Sequence, residues 1–358
     1  MGQPAFSLLS FLSLNWWARL EPYIHVTRYS MKRFGVFKGK WLAIIMFLSL
    51  PLFTPTSYLK AQGRSSWLDC SGIENEGERL RCYDEMARRK SMTNSSYLSK
   101  QWELDQDKPG DQYVIMAHRS NYILPLAYNS SPKVTPFQEA STREDVQETE
   151  VKFQISLKIK LWQDVLGKDM DLWFGYTQKS FWQLYNFADS APFRETNYEP
   201  ELLLNVRTHI RFLGMNARIM QVGFNHQSNG RSQPFSRSWN RMVGNVGFEK
   251  DHFILVFKAW YPIPEREEKD DNPDIDDYMG YGEIWGYYMW NGYKLGAMLR
   301  NNLRRKDNRG ALQLEWSIPI TRKIGVYVQY FNGYGESLLD YNHSVNRIAV
   351  GFILADWN

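Results

Sequence analysis

The sequence predicts an all-β protein, a transmembrane antiparallel β-barrel of about twelve strands with a short N-terminal periplasmic extension. Three observations carry this. Segments of about ten residues alternate apolar and polar from position 111 onward, as in a strand with one face on lipid and the other on a polar interior. Aromatic residues make up 15% of the 358, with 14 Trp and 21 Tyr, although the mean hydropathy is only −0.49. Trp and Tyr gather at the two membrane–water interfaces of such barrels. An export signal near the N-terminus completes the set.

Residues 1–61 form the targeting region. Lys32, Arg33, Lys38 and Lys40 are its charged part, and Trp41–Phe53 is an apolar run of 13 residues. A membrane-spanning helix needs about 20. "SYLKAQG" offers cleavage after Ala61, and Met31, just before the charges, is an alternative start. This region holds seven of the 43 basic residues and one of the 39 acidic ones, leaving 36 and 38. The remainder is near neutral and gives no reason to expect a nucleic-acid partner.

Residues 62–110 form a polar extension. Cys70 and Cys82 are the only cysteines. An exported chain reaches an oxidising compartment, so a Cys70–Cys82 disulfide is expected. The rival metal site lacks a second ligand pair and a nearby histidine. "GERLRCYDEMARRK" predicts a short helix and "NSSYLSKQWELDQDKPGDQ" a linker.

The barrel occupies 111–358. In Val151–Trp162 the residues Val151, Phe153, Ile155, Leu157, Ile159 and Leu161 share one face, and Lys152, Gln154, Ser156, Lys158 and Lys160 the other. Strands are predicted over 113–128, 151–162, 170–186, 199–213, 215–228, 236–249, 252–262, 276–288, 292–302, 309–319, 323–334 and 345–356. Twelve is even, as closure of an antiparallel ring requires, and closure leaves no unpaired backbone in lipid. "GFEKDH" and "WNGYK" are tight turns, whereas 262–277 and 334–346 are long loops. Trp357 stands next to last, where many barrels end on an aromatic. A soluble β-sandwich would also alternate, but it has no use for the export signal or the aromatic load.

"GFNHQSNGRSQPFSRSWNR", Gly223–Arg241, interrupts a lipid-facing pattern. Met220, Val222 and Phe224 share parity with His226 and Ser228, so the last two project outward. A hairpin centred on Gln233 sets His226 opposite Asn240 and Ser228 opposite Ser238. Polar groups on a lipid face are costly and call for a reason. Ser228 is a nucleophile once a base takes its proton, His226 is that base, and Asn240 can hold the imidazole's far N–H. Gln178 sits on the outward face of its strand, where a second copy across a two-fold axis gives its amide a partner. His118, His209, His252 and His343 stand singly and receive no role. The sequence has no G-x-S-x-G and no H-E-x-x-H.

"FNHQSNGRSQPFSRSWNR", "YTQKSFWQLYN", "SAPFRETNYEP", "DDNPDIDDYMGY" and "GYGESLLDYN" resemble segments of the outer membrane phospholipase A family, over roughly 111–358. The resemblance implies a twelve-stranded barrel in the bacterial outer membrane and calcium-dependent hydrolysis of phospholipid acyl esters. It implies Ser228 as nucleophile, His226 as base, Asn240 as orienting amide and the Gly230 N–H as an oxyanion donor. It implies Ca2+ ligands at the Arg231 carbonyl, Ser236 and, from the partner copy of a homodimer, Ser190. Asp271 matches a carboxylate used for calcium in the monomer, and Gln178 a residue of the subunit contact. Where the family carries a further carboxylate near this loop, the chain has Gln233. A passive outer-membrane pore and a catalytically silent structural barrel are the alternatives.

Overall fold

The computed structural model describes residues 70–93 (backbone only over 85–93), 96–104, 112–133, 146–165, 169–208 and 210–354. The targeting reading of 1–61, His209 and Trp357 lie outside these residues.

Twelve strands form the wall: β1 (Asn121–Asn129), β2 (Thr149–Trp162), β3 (Met170–Trp182), β4 (Phe193–Arg207), β5 (Met215–Ser228), β6 (Ser238–Lys250), β7 (Phe253–Pro262), β8 (Gly282–Trp290), β9 (Tyr293–Asn301), β10 (Gly310–Pro319), β11 (Ile324–Gly333) and β12 (Val345–Leu354). Each pairs antiparallel with its neighbours, and β12 pairs with β1, so the ring closes without an edge. Alternation sets the inside and outside of every strand. In β12, Ile348, Val350, Phe352 and Leu354 point outward and are exposed, while Arg347, Ala349 and Ile353 point inward and are buried. Closure and alternation are those of a wall that crosses a membrane with strands. No helix among the described residues is long and apolar enough to cross a membrane.

The interior carries paired charge around a cavity that Arg119, Lys152, Glu199 and Glu336 help to line. Arg194 bonds Glu150 at 2.9 Å and Asp340 at 2.7 Å, and Arg347 reaches Glu150 and Glu336, both at 2.8 Å. Lys152 meets Glu336 at 2.8 Å. Nearer the middle, Arg119 and Arg241 both hold Glu199. Buried charges require such partners.

Four stretches differ from their sequence reading. The predicted strand 113–128 splits: Ile115–Ala117 pairs on β2, and β1 begins at Asn121. The strand expected over 199–213 runs from Phe193 to Arg207, and Arg211–Phe212 forms its own ribbon on β5. The strand expected over 276–288 starts only at Gly282, because Ile275–Met279 is a helical turn that buries Ile275 and Met279, one turn apart. The segment read as a linker contains helix α2, Tyr97–Trp102, which follows helix α1, Glu76–Thr93. Leu98, Trp102 and Leu104 are buried against Trp173, Leu203, Ile219 and Ile254 inside the barrel. Glu249 holds the start of α2, accepting from the Ser96 hydroxyl and, at 2.8 Å, from the Tyr97 N–H. The Lys158 ammonium lies 3.7 Å above the Trp102 ring. With six residues α2 is too short to announce itself by periodicity, and its polar sequence hides a plug. Cys70 and Cys82 are joined at the start of α1, with Cα atoms 5.6 Å apart.

Candidate active site

The outward face of β5 carries exposed Met220, Val222 and Phe224 before it reaches His226 and Ser228. Its inward face carries buried Gln221 and Asn225. Asn225 accepts from Arg241 of β6, so the hairpin is pinned from inside. A one-residue slip would turn every one of these side chains to the wrong medium. Strands β5 and β6 pair in the register expected of a hairpin centred on Gln233: His226 lies opposite Asn240 and Ser228 opposite Ser238. On the other side of Ser228 stands Tyr198 of β4, itself opposite Gln178 of β3. One row across four strands thus holds Gln178, Tyr198, Ser228 and Ser238.

His226 Nδ1 and Asn240 Oδ1 are 2.9 Å apart. An amide oxygen only accepts, so the imidazole donates from Nδ1, and in the neutral ring Nε2 is left as the basic nitrogen. Both residues are half-buried, as is Ser228. The Ser228 hydroxyl makes no hydrogen bond among the described residues. Residues two apart on a strand face one side at about 7 Å, a separation that side-chain rotation closes for imidazole and hydroxyl. Asn240 Nδ2 donates to Glu265 Oε1 at 2.8 Å. Sequence reasoning gave Glu265 no role. It lies 25 positions from Asn240 in an acidic loop without periodicity, and the one available signal was that this loop leaves β7 directly beside Asn240.

The β5–β6 loop gathers some of the other predicted residues. Gly230 adopts φ +65°, and a Cβ there would sit 3.2 Å from the Tyr198 ring. The Gly230 N–H makes no hydrogen bond among the described residues and lies two positions beyond Ser228. Ser236 donates to Asp271, whose other oxygen accepts from Gln233 Nε2 at 2.5 Å. Arg231 uses its guanidinium to hold the Phe193 and Arg194 carbonyls at 2.9 and 2.7 Å, tying the loop to β4. Ser190 follows the short turn Phe187–Asp189 between β3 and β4, and no contact joins it to Ser236 or Asp271 among the described residues. Gln178 points outward, half-buried; its amide makes only long hydrogen bonds along its own strand, 3.4 Å from the Tyr176 hydroxyl and 3.3 Å to Ser180.

Ser236, Asp271 and the Arg231 carbonyl offer oxygen throughout, the chemistry a hard divalent cation takes. Only one of them is a carboxylate, and no group of three or more His, Cys, Asp or Glu converges among the described residues. A low-charge oxygen set of this kind suits calcium at weak affinity.

The sequence profile of the family Phospholipase A1 matches residues 98–354. Phospholipase A1 of Escherichia coli (strain K12) is 45% identical over 255 residues, covering 70% of this chain and 84% of that protein. The solved outer membrane phospholipase A from Escherichia coli superposes with a TM-score of 0.65 at 39% identity, covering 69% of this chain and all of the other. The outer membrane phospholipase dimer of Salmonella typhi, solved with bound calcium, gives a TM-score of 0.65 at 38% identity over 74% of this chain and 98% of that one. The match begins within α2, so the plug belongs to the family's common part and the disulfide-bearing helix α1 precedes it.

Proposed function

Because the chain belongs to the phospholipase A1 family of phospholipid-hydrolysing outer-membrane enzymes, we propose that it cleaves phospholipid acyl esters with Ser228, His226 and Asn240, assisted by calcium and activated by pairing with a second copy. The observation that carries this reading is the 2.9 Å contact between His226 and Asn240 on the outward wall, with Ser228 in the same line.

The steps follow from the residues. Ser228 Oγ attacks the ester carbonyl carbon while its proton passes to His226 Nε2. The imidazolium so formed keeps its Nδ1–H on Asn240 Oδ1, which holds the ring in place. The carbonyl electron pair moves onto oxygen, where the Gly230 N–H is the donor. The ester C–O bond then breaks, the departing glycerol oxygen takes the proton from His226, and the acyl group stays on Ser228. Water, deprotonated by His226, attacks that acyl group; fatty acid leaves and Ser228 recovers its proton. Calcium, held in the dimer by the Arg231 carbonyl, Ser236 and a Ser190 from the second copy, with Asp271 as its carboxylate in the monomer, would supply the concentrated positive charge that favours the oxyanion in a half-lipid site.

The homodimer enters through geography. Gln178 shares a row with Ser228, and Ser190 lies at the same loop end of the barrel but engages no other candidate ligand in a single copy. A second copy would give the Gln178 amide a better partner and bring a Ser190 to the other's site. Calcium in the solved Salmonella typhi dimer supports this reading. Substrate reaches the site from the bilayer side, its acyl chains along the apolar wall. An intact outer leaflet offers little phospholipid, so the enzyme idles until the membrane is damaged.

Fatty-acid release from phospholipid–detergent micelles tests the proposal. Wild type is expected to be active with calcium and silent with chelator, and Ser228→Ala to lose activity by about a thousandfold or more. Hydrolysis that persists in Ser228→Ala removes the mechanism.

A further inference from the structure

We infer that Glu265 is a positioning residue of this site, whose carboxylate fixes the Asn240 amide and through it the base on His226. The inference rests on the reading of Ser228, His226 and Asn240 above and extends it by one residue.

Asn240 Nδ2 donates to Glu265 Oε1 at 2.8 Å while Asn240 Oδ1 lies 2.9 Å from His226 Nδ1. The second contact sets the tautomer only while the amide keeps that orientation. An amide turned over would offer its N–H to the other imidazole tautomer, and the proton would then sit on Nε2, where it cannot receive one from Ser228. An ionised carboxylate only accepts. Glu265 therefore demands the NH2 end of the amide, the oxygen must face His226, Nδ1 carries the hydrogen, and Nε2 is left as the base. Turning the amide over would set its oxygen against the carboxylate.

The backbone holds this arrangement. Arg241 pairs with Pro262, and the Ile263 N–H bonds the Asn240 carbonyl at 2.8 Å. Glu265 is two residues further along, half-buried beside the amide it meets. Other carboxylates of the same loop are engaged elsewhere: Asp271 with Ser236 and Gln233, Asp274 with Tyr341, and Asp276 with Tyr281. Glu265 also brings negative charge within two hydrogen bonds of the imidazolium formed during the reaction. It does so from a loop, so the lipid-facing strand itself carries only neutral groups.

The test is steady-state kinetics on the full chain in phospholipid–detergent micelles with saturating calcium, rates being referred to the folded fraction read from heat-modifiable gel mobility. Glu265→Ala and Glu265→Gln should each lower kcat about tenfold, with KM and the half-saturating calcium concentration unchanged. Glutamine fails to rescue because it accepts either end of the amide. Asn240→Asp sets two carboxylates against each other, so Glu265→Gln combined with Asn240→Asp should exceed Asn240→Asp alone by about tenfold, a gain that a merely structural role does not produce. Wild-type kcat in both Glu265 variants, a shift confined to the calcium requirement, or a double variant no better than Asn240→Asp would overturn the inference. If Ser228→Ala is inactive in the same assay, that failure touches Glu265 alone; if Ser228→Ala is active, the parent reading falls and takes this one with it.

Discussion

Asn240 meets three groups at once: His226 through its amide oxygen, Glu265 through its amide nitrogen and the Ile263 N–H through its carbonyl. In the proposed mechanism its side chain orients the imidazole and does not touch the ester. Asn240→Ala should therefore lower kcat about ten- to a hundredfold and leave KM near wild type, since a hydrogen bond that sharpens on charging is worth about 1.5–3 kcal/mol. Kinetics on Asn240→Ala beside wild type check this, and an unchanged kcat would remove Asn240 from the mechanism. At this scale the sequence was informative where parity could be counted. His226, Ser228 and Asn240 were legible because Met220, Val222, Phe224 and Met242 fix which side faces lipid, and two-residue periodicity then leaves no freedom. Glu265 and the Asp271–Ser236 contact were not legible as geometry. They depend on how a loop of irregular backbone folds back, and no repeat in the chain encodes that.

Hairpins with strong alternation, such as β5–β6, could be placed to the residue, register included. Elements of one or two turns could not. Helix α2 was hidden in polar sequence because its stability comes from burying Leu98 and Trp102 in the barrel and from Glu249 at its N-terminus, both long-range facts. The loop between β11 and β12 is similar: Glu336 and Asp340 fold inward onto Lys152, Arg347 and Arg194. Burial raises the Glu336 carboxyl, but Arg347 and Lys152 more than offset it and hold it at about 2. Burial likewise raises Asp340, and Arg194 brings it below its ordinary value. Groups depressed in the fold contribute stability that is complete above the unfolded carboxylate range, near 4.5 for Glu336, and is lost as pH falls towards about 2. The thermal midpoint in detergent should thus be insensitive to this cluster between neutral pH and about 5, then decline. Glu336→Gln should lower the midpoint at pH 7, where it strands Arg347 and Lys152, and flatten the acid decline. An acid slope identical to wild type would show that this loop does not carry the dependence.

As a whole the molecule is a closed wall in the outer membrane with charge inside and an apolar skin outside. That inversion is what lets a polar site sit on the skin: the interior pairs of Arg194, Glu150, Arg347, Glu336 and Lys152 stabilise the barrel without the outer row, leaving His226, Ser228 and Asn240 available to the bilayer. Helix α2, buried inside a ring of only twelve strands, argues against a diffusion pore. Class, strand number and membrane placement were legible from alternation and aromatic content. How full the interior would be was not, because facing charges come from strands distant in the chain. The proposed chemistry stands on Ser228 as a nucleophile presented to lipid. Its most direct measurement is reaction of the folded protein, reconstituted in phospholipid vesicles with calcium, with a long-chain alkyl fluorophosphonate, followed by peptide mapping of the adduct. One adduct is expected, on Ser228, absent from His226→Ala. An adduct on another serine, or none in a preparation that releases fatty acid, would contradict it.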